Sequence, residues 1–248
     1  NGARAAAQLS GPHTVHILDF GEAPEGLYVV MEFLSGRTLK QELIRLGRLL
    51  PERALVILQQ VTLALSEAHS LGIIHRSLSA DNIFLTDQRG FDFVKVLDYT
   101  IAKMDTPGGQ AATAAGTAVG NPIYMSPEQI RGATLTPRSD LYSVGVVAFE
   151  MLSGQPPFTG RTEMELLAAH LTQAPPPLRG VPDDTAELVL RLLAKEPEQR
   201  PASAETVLGV LTHLMGPASD RNAQGLGSVA PPQQPVRPEP PASNMVAE

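Results

Sequence analysis

His75-Arg76-Ser77-Leu78-Ser79-Ala80-Asp81-Asn82 is the stretch on which the reading of this chain turns. It gathers an imidazole, a guanidinium, two hydroxyls, a carboxylate and an amide without apolar periodicity, so it reads as a polar loop. On its N-terminal side Ala54, Leu58, Val61, Leu65 and Ala68 recur at alternating spacings of four and three, which is one face of a helix. Pro51 near its start and Gly72 after its end follow the usual asymmetry of helix termini. On the C-terminal side, residues 83–85 and 93–97 flank Asp87-Gln88-Arg89-Gly90, a hairpin signal.

Further out, residues 13–20 and 27–33 form two apolar runs around the turn-rich Gly21-Glu22-Ala23-Pro24-Glu25-Gly26, a second hairpin. Beyond Asp98, residues 104–121 are small and polar with no period, a length of loop that is usually functional or disordered. Leu141, Val144, Ala148 and Met151 then mark a helix that is nearly apolar all round and therefore buried. Weaker helical patterns cover residues 162–172, 183–194 and 203–214. Strands first and helices after make an α+β order.

Composition bounds the function. The 248 residues carry a net charge of −7, with 43% hydrophobic and 18% charged residues, enough apolar material for a sizeable core. The acidic balance, without a basic block, argues against nucleic acid or an anionic membrane as the main partner. The absence of cysteine excludes disulfides and thiolate metal sites. No apolar run approaches the ~18 residues of a membrane span. From Gly216 onward the chain turns to Pro, Ala, Gln, Gly and Ser, the composition of a disordered tail or linker, or alternatively of a polyproline ligand.

Four strings stand in order: residues 75–82, Asp98-Tyr99-Thr100, Tyr124-Met125-Ser126-Pro127-Glu128, and Asp140-Leu141-Tyr142-Ser143-Val144-Gly145. Their order and spacing resemble the large lobe of eukaryotic-like serine/threonine protein kinases of the bacterial type, over roughly residues 2–214. The resemblance implies an α+β protein-kinase-like fold. Residues 1–34 would be a remnant of the small lobe and the hinge, residues 35–215 the large lobe, and residues 216–248 the tail. Asp19-Phe20-Gly21 spells the kinase metal motif but precedes the catalytic-loop string, so it reads as a strand end entering a turn, and Asp98 takes the metal-motif position.

Phosphoryl transfer needs positioning and charge neutralisation. By the resemblance, the glycine-rich lid and the strand lysine would precede Asn1. Counting from Leu9-Ser10-Gly11-Pro12 places the small-lobe glutamate at Gly2, and the opening at Asn1 suggests a fragment. The catalytic aspartate position holds Ser77, the loop lysine position Ser79, and the substrate-loop threonine position Asn121. In the family these three touch, and all three differ here, which implies a dismantled catalytic centre. Asn82 and Asp98 match the two metal ligands, oxygen donors suited to magnesium. The plainer alternatives are that Asn82 ties its own loop and Asp98 caps a turn. Met31 matches the back of the adenine pocket, Glu32 to Leu34 the hinge and Phe84 the floor, with ordinary hairpin core residues as the alternative for Met31 and Phe84.

The remaining matches are structural: His75 and Arg76 in the loop, Asp140 holding the loop backbone, and Glu128 pairing with Arg200. Arg76 could receive a phosphate carried by Thr106, Thr113 or Thr117. The resemblance thus implies ATP and magnesium as family cofactors and a protein partner or substrate. It places the domain in the cytoplasm or on the cytoplasmic side of a membrane-anchored protein. The first expectation is a pseudokinase acting as a binding or regulatory module. The rivals are an active kinase completed by a full small lobe, and a truncated product without function.

Overall fold

The computed structural model describes residues 8–23, 26–88, 90–99 and 121–216, excluding the Leu27 side chain. The features expected at residues 2–7, at Thr100, Thr106, Thr113 and Thr117, and in the tail after Gly216 lie outside the described residues.

Strands β1 (Ile17–Ala23) and β2 (Gly26–Met31) form an antiparallel hairpin, with register running from Ile17 opposite Met31 to Ala23 opposite Gly26. This corrects the expected boundaries. The strand begins later than residue 13 and continues through Gly21, Glu22 and Ala23, which pair with Tyr28, Leu27 and Gly26, the last at φ 130°. Asp19-Phe20-Gly21 therefore lies inside a strand, where Gly21 faces Tyr28. A Cβ on Gly21 would stand 2.6 Å from the Tyr28 hydroxyl, so the tyrosine covers the glycine across the ladder.

A second sheet has the order β3-β4-β5, all antiparallel: β3 (Gly36–Thr38), β4 (Ile83–Gln88) and β5 (Phe91–Val96). The β4–β5 turn is again tighter than expected, with Gln88 opposite Phe91 and Gly90 at φ 86°. Helix α1 (Leu39–Leu46) follows β3 directly. Neither β3 nor α1 was anticipated, although Thr38 and Gln41 form a reciprocal capping box at the α1 N-terminus.

The large helices are as the periodicities require. Helix α2 (Pro51–Ser70) starts with Pro51 and buries Ala54, Leu58, Val61, Leu65 and Ala68. It packs against β5 and, after α3 (Pro127–Ile130), against α4 (Pro137–Ser153). Helix α4 is buried from Ser139 to Leu152, as an all-round apolar helix must be. Helices α5 (Glu163–Thr172), α6 (Asp183–Leu192) and α7 (Ala204–Leu214) complete the domain, with α7 against α2 and α6 against α4. A Cβ on Gly145 would lie 2.8 Å from the Leu192 Cβ, so the glycine sets the close approach of α4 and α6. Each large apolar side chain buried in this core contributes about 1.5–3 kcal/mol. No helix among the described residues is long and apolar enough to cross a membrane.

Candidate active site

The polar loop at residues 75–82 lies between α2 and β4, and Asp140 in the first turn of α4 organises it. Its Oδ2 accepts the His75 backbone N–H at 2.8 Å and its Oδ1 accepts the Arg76 N–H at 2.8 Å. The His69 ring adds a 2.8 Å contact to Oδ2 from the end of α2. His75 is fully buried, its Nε2 lies 2.8 Å from the Leu97 carbonyl, and its ring packs in a tilted contact on Tyr99, with centroids 4.6 Å apart and planes at 50°. A carbonyl only accepts, so Nε2 carries the proton. Burial pushes the imidazole below its ordinary pKa, against the opposing charge of Asp140. His75 is thus a neutral core group that joins the loop to the end of β5, as expected.

Arg76 at φ 68° and Asp98 at φ 57° are the non-glycine residues with left-handed backbone among the described residues. Such conformations cost on the order of 1–3 kcal/mol each and persist only where surroundings enforce them. At Arg76 the enforcing groups are visible: Asp140 takes its N–H, and Gln129 Nε2 donates to its carbonyl at 2.7 Å. The Arg76 and Asp98 side chains are exposed.

Ser77 and Asn121 line one water-sized cavity of about 10 Å³ with Arg76, Leu78, Tyr124 and Met125. Ser77 Oγ reaches only 3.5 Å from His75 Nδ1. Asn121 turns its Oδ1 to the Ile123 N–H at 3.1 Å, capping the short turn Pro122–Tyr124. Ser79 is buried and does not line that cavity, so the expected cluster of three is met by two. Nothing in this arrangement carries negative charge at the Ser77 position. Asn82 Nδ2 donates to the Ser77 carbonyl at 3.0 Å, so the loop tie is real, and its Oδ1 is the oxygen it can offer a metal. The Asn82 carbonyl accepts the Leu97 N–H at 2.8 Å, bringing Asn82 beside the segment that bears Asp98.

On the nucleotide side, Met31 is 37% exposed and Phe84 is half-buried, so Met31 is not the core residue that the plainer reading made it. The Glu32 N–H is bound to the His16 carbonyl at 3.0 Å, and its carboxylate takes Lys95 at 2.7 Å and the His16 N–H at 2.9 Å. The Glu32 N–H and carboxylate are thus both engaged within the protein. Leu34 is half-buried in the same short connection before β3.

Glu128 and Arg200 form the expected buried fork, Nη1 to Oε1 at 2.6 Å and Nη2 to Oε2 at 2.9 Å. Sequence reasoning missed His69 and a second clamp. Glu150 on α4 is buried and takes Lys40 Nζ at 2.7 Å and the Tyr124 hydroxyl at 2.6 Å. The Lys40 N–H meanwhile binds the Ala80 carbonyl at 2.9 Å, so the clamp ties α1, α4 and the Tyr124 segment beneath the loop. Its members are 26 and 110 residues apart from Glu150 and have no local pattern; only the burial expected of α4 around an acidic side chain pointed to a missing partner.

A mostly helical domain with two small antiparallel sheets, a polar loop held by a helix carboxylate and a buried carboxylate–guanidinium fork is the architecture of the protein kinase class. The chain matches the family model described as protein kinase domain over residues 3–210, and it belongs to that family. It is 42% identical over 245 residues to the serine/threonine-protein kinase pkn3 of Myxococcus xanthus, covering 92% of this chain and 45% of the relative. It is 38% identical over 206 residues to the serine/threonine-protein kinase PknB of Mycobacterium tuberculosis, covering 80% of this chain and 32% of the relative. A crystal structure of the Mycobacterium tuberculosis PknI kinase domain superposes with a TM-score of 0.65 at 26% identity, covering 86% of this chain and 75% of that one. The chain thus spans less than half the length of these curated relatives.

Proposed function

We propose that this domain keeps the kinase architecture, has lost phosphoryl transfer, and serves as a protein-binding or regulatory module. The observation that carries the reading is Ser77: a hydroxyl stands where the family places a carboxylate. A hydroxyl of ordinary pKa does not take the proton of an incoming substrate hydroxyl. Ser79 removes the neighbouring positive charge, and Asn121 is engaged in capping its own turn.

The residues fit magnesium and nucleotide better than they fit catalysis. Asn82 Oδ1 and the exposed Asp98 carboxylate are hard oxygen donors, and together with phosphate oxygens they would hold the ion. Met31, the Glu32 carbonyl, Leu34 and Phe84 would border the base. When bound, the ion would neutralise phosphate charge; the chain's own contribution is to hold it through Asn82 and Asp98. On this reading residues 1–34 are a remnant of the small lobe and the hinge, residues 35–215 form the large lobe, and residues 216–248 are a Pro/Ala-rich tail or linker. The domain works in the cytoplasm, alone or as part of a membrane-anchored protein.

The test is incubation of purified protein with radiolabelled ATP, magnesium and a protein acceptor. The expected result is no transfer above that of the Asp98→Ala variant. Transfer by the parent chain that Asp98→Ala abolishes would overturn the reading. A thermal shift with ATP and magnesium, lost in Asp98→Ala, separates binding from transfer.

A further inference from the structure

The chain carries four lysines, and Lys40, Lys95 and Lys195 lie within the described residues. Two of them are engaged with carboxylates: Lys40 Nζ meets Glu150 at 2.7 Å and Lys95 Nζ meets Glu32 at 2.7 Å. Lys195, just beyond α6, has no carboxylate partner among the described residues. Its Nζ reaches only the Ala169 carbonyl, at a long 3.5 Å. Its backbone is held in place, since the Lys195 carbonyl accepts Arg200 Nη2 at 2.9 Å.

Aromatic faces stand where a counter-ion would. Nζ lies 3.8 Å from the centre of the Phe158 ring and 5.9 Å from that of Tyr142. The Arg200 guanidinium shares the Tyr142 ring at 4.9 Å, and the His170 ring meets Phe158 edge-on at 4.9 Å. The ionisable groups around the amine are therefore Arg200, already forked onto Glu128, the neutral His170, and the Tyr142 phenol in contact with His170. None of them offers the ammonium a free negative charge. Burial, and then the Arg200 charge, push the amine down from 10.5 to about 8. The ring faces pull the other way, and the pH profile of the test below reads the balance.

At pH 7.5 an amine that titrates at about 8 is roughly one-quarter unprotonated, against about one in a thousand at the ordinary value. The unprotonated amine is the nucleophile. Lys195 is half-buried, so part of the side chain still meets solvent.

We propose that Lys195 is a site of N-acylation by small activated acyl donors, acyl phosphates or acyl thioesters. The Nζ lone pair attacks the donor's carbonyl carbon and the C–N bond forms. The bond from that carbon to the phosphate oxygen or the thiolate sulfur breaks, its electron pair leaves with that group, and the surplus amine proton passes to water. The product is a neutral amide against Phe158, which removes the like charge beside Arg200. The step uses no group of the loop at residues 75–82, so it holds whether or not the domain transfers phosphate.

The test incubates the full chain with acetyl phosphate or, separately, acetyl-coenzyme A, and follows acetylation of each lysine by quantitative peptide mass spectrometry. At pH 7.5 Lys195 should react more than about tenfold faster than Lys40 and Lys95 with at least one donor, and the donor that reacts identifies the source. Its rate should level off above about pH 9, one unit past the lowered value. In urea the preference should vanish, because the surroundings that create it are gone. A smaller preference with both donors, a rate that keeps climbing through about pH 10 as for an ordinary lysine, or a preference that survives unfolding would each overturn the proposal.

Discussion

Arg200 uses every donor it has. Nε binds the Ala194 carbonyl at 2.8 Å, Nη1 binds Glu128 at 2.6 Å and the Arg138 carbonyl at 2.9 Å, and Nη2 binds Glu128 at 2.9 Å and the Lys195 carbonyl at 2.9 Å. Its side chain is 0% and that of Glu128 7% exposed, and the guanidinium lies 4.9 Å from the Tyr142 ring centre. Arg200→Ala removes all of this and strands a buried carboxylate. Breaking one side of such a pair costs about 3–5 kcal/mol. At roughly 2–4 °C per kcal/mol for a domain of this size, Tm should fall by about 6–20 °C. Far-UV circular dichroism melts at pH 7 provide the assay, with Arg200→Lys as the control that keeps the charge and loses the fork. The pH dependence adds a second check. Burial alone would raise the Glu128 carboxyl, but the Arg200 hydrogen bonds and charge outweigh it, so the folded pKa lies below 4.5. Because the folded value is the lower one, the pair stabilises fully above about pH 4.5 and loses its effect as pH falls through the depressed value. The gap between parent and Arg200→Ala should therefore narrow on acidification. A Tm loss below about 3 °C at pH 7, or a gap that widens in acid, would refute the argument.

Two further outcomes follow from the same interior. His170 is buried against Tyr142 and Phe158, and burial with the Lys195 charge pushes its pKa down to about 4, so it folds neutral. The unfolded chain binds its proton near 6.5, so urea midpoints should drop as pH falls from about 6.5 to about 4, and His170→Gln should flatten that limb in part, since His13 and His75 are lowered too. Asp140→Ala should accelerate amide hydrogen exchange at His75 and Arg76 by about 10–100-fold, the equivalent of losing ~1–3 kcal/mol of buried hydrogen bonding, while distant α7 amides keep their rates.

The long elements were legible because their signals are repetitive. Helix α2 shows its face five times over, and α4 shows an apolar surface that only burial explains. Short elements carry too few residues for that redundancy. Strand β3 has three residues and α1 eight, and both depend on Leu39 and Leu43 meeting a core assembled from elsewhere. The hairpin bounds moved because turn-forming residues such as Gly21 and Glu22 can also sit in a ladder, here opposite Tyr28 and Leu27. At the site, motif position pointed to Asp140, His75, Glu128 and Arg200, and the structure holds each of them by at least two hydrogen bonds. It said less about Ser79, which the structure keeps apart from the cavity shared by Ser77 and Asn121, and nothing about Lys40, Glu150 and His69. Those contacts are created by tertiary packing across as many as 110 residues.

The division between what is retained and what is replaced follows from where the charges lie. Asp140, Glu128 and Glu150 are all 5% exposed or less, and each is matched by donors that would be orphaned without it. Removing any of them would leave buried N–H or guanidinium groups unsatisfied, a cost borne by the fold itself. The positions of Ser77 and Ser79 differ in kind. In the family, charges there are matched mainly by substrate and nucleotide, so under the proposed loss of transfer the fold itself does not require them. A carboxylate at Ser77 would face the Asp140-bound loop and a cavity of about 10 Å³ that Arg76 also lines, while a lysine at the buried Ser79 would need its own counter-charge. On the proposed reading, neutral hydroxyls at both positions dispense with two opposite charges together. The same logic explains why Asn82 survives: its amide donates to the Ser77 carbonyl, so it is required for the loop whether or not its oxygen ever meets a metal.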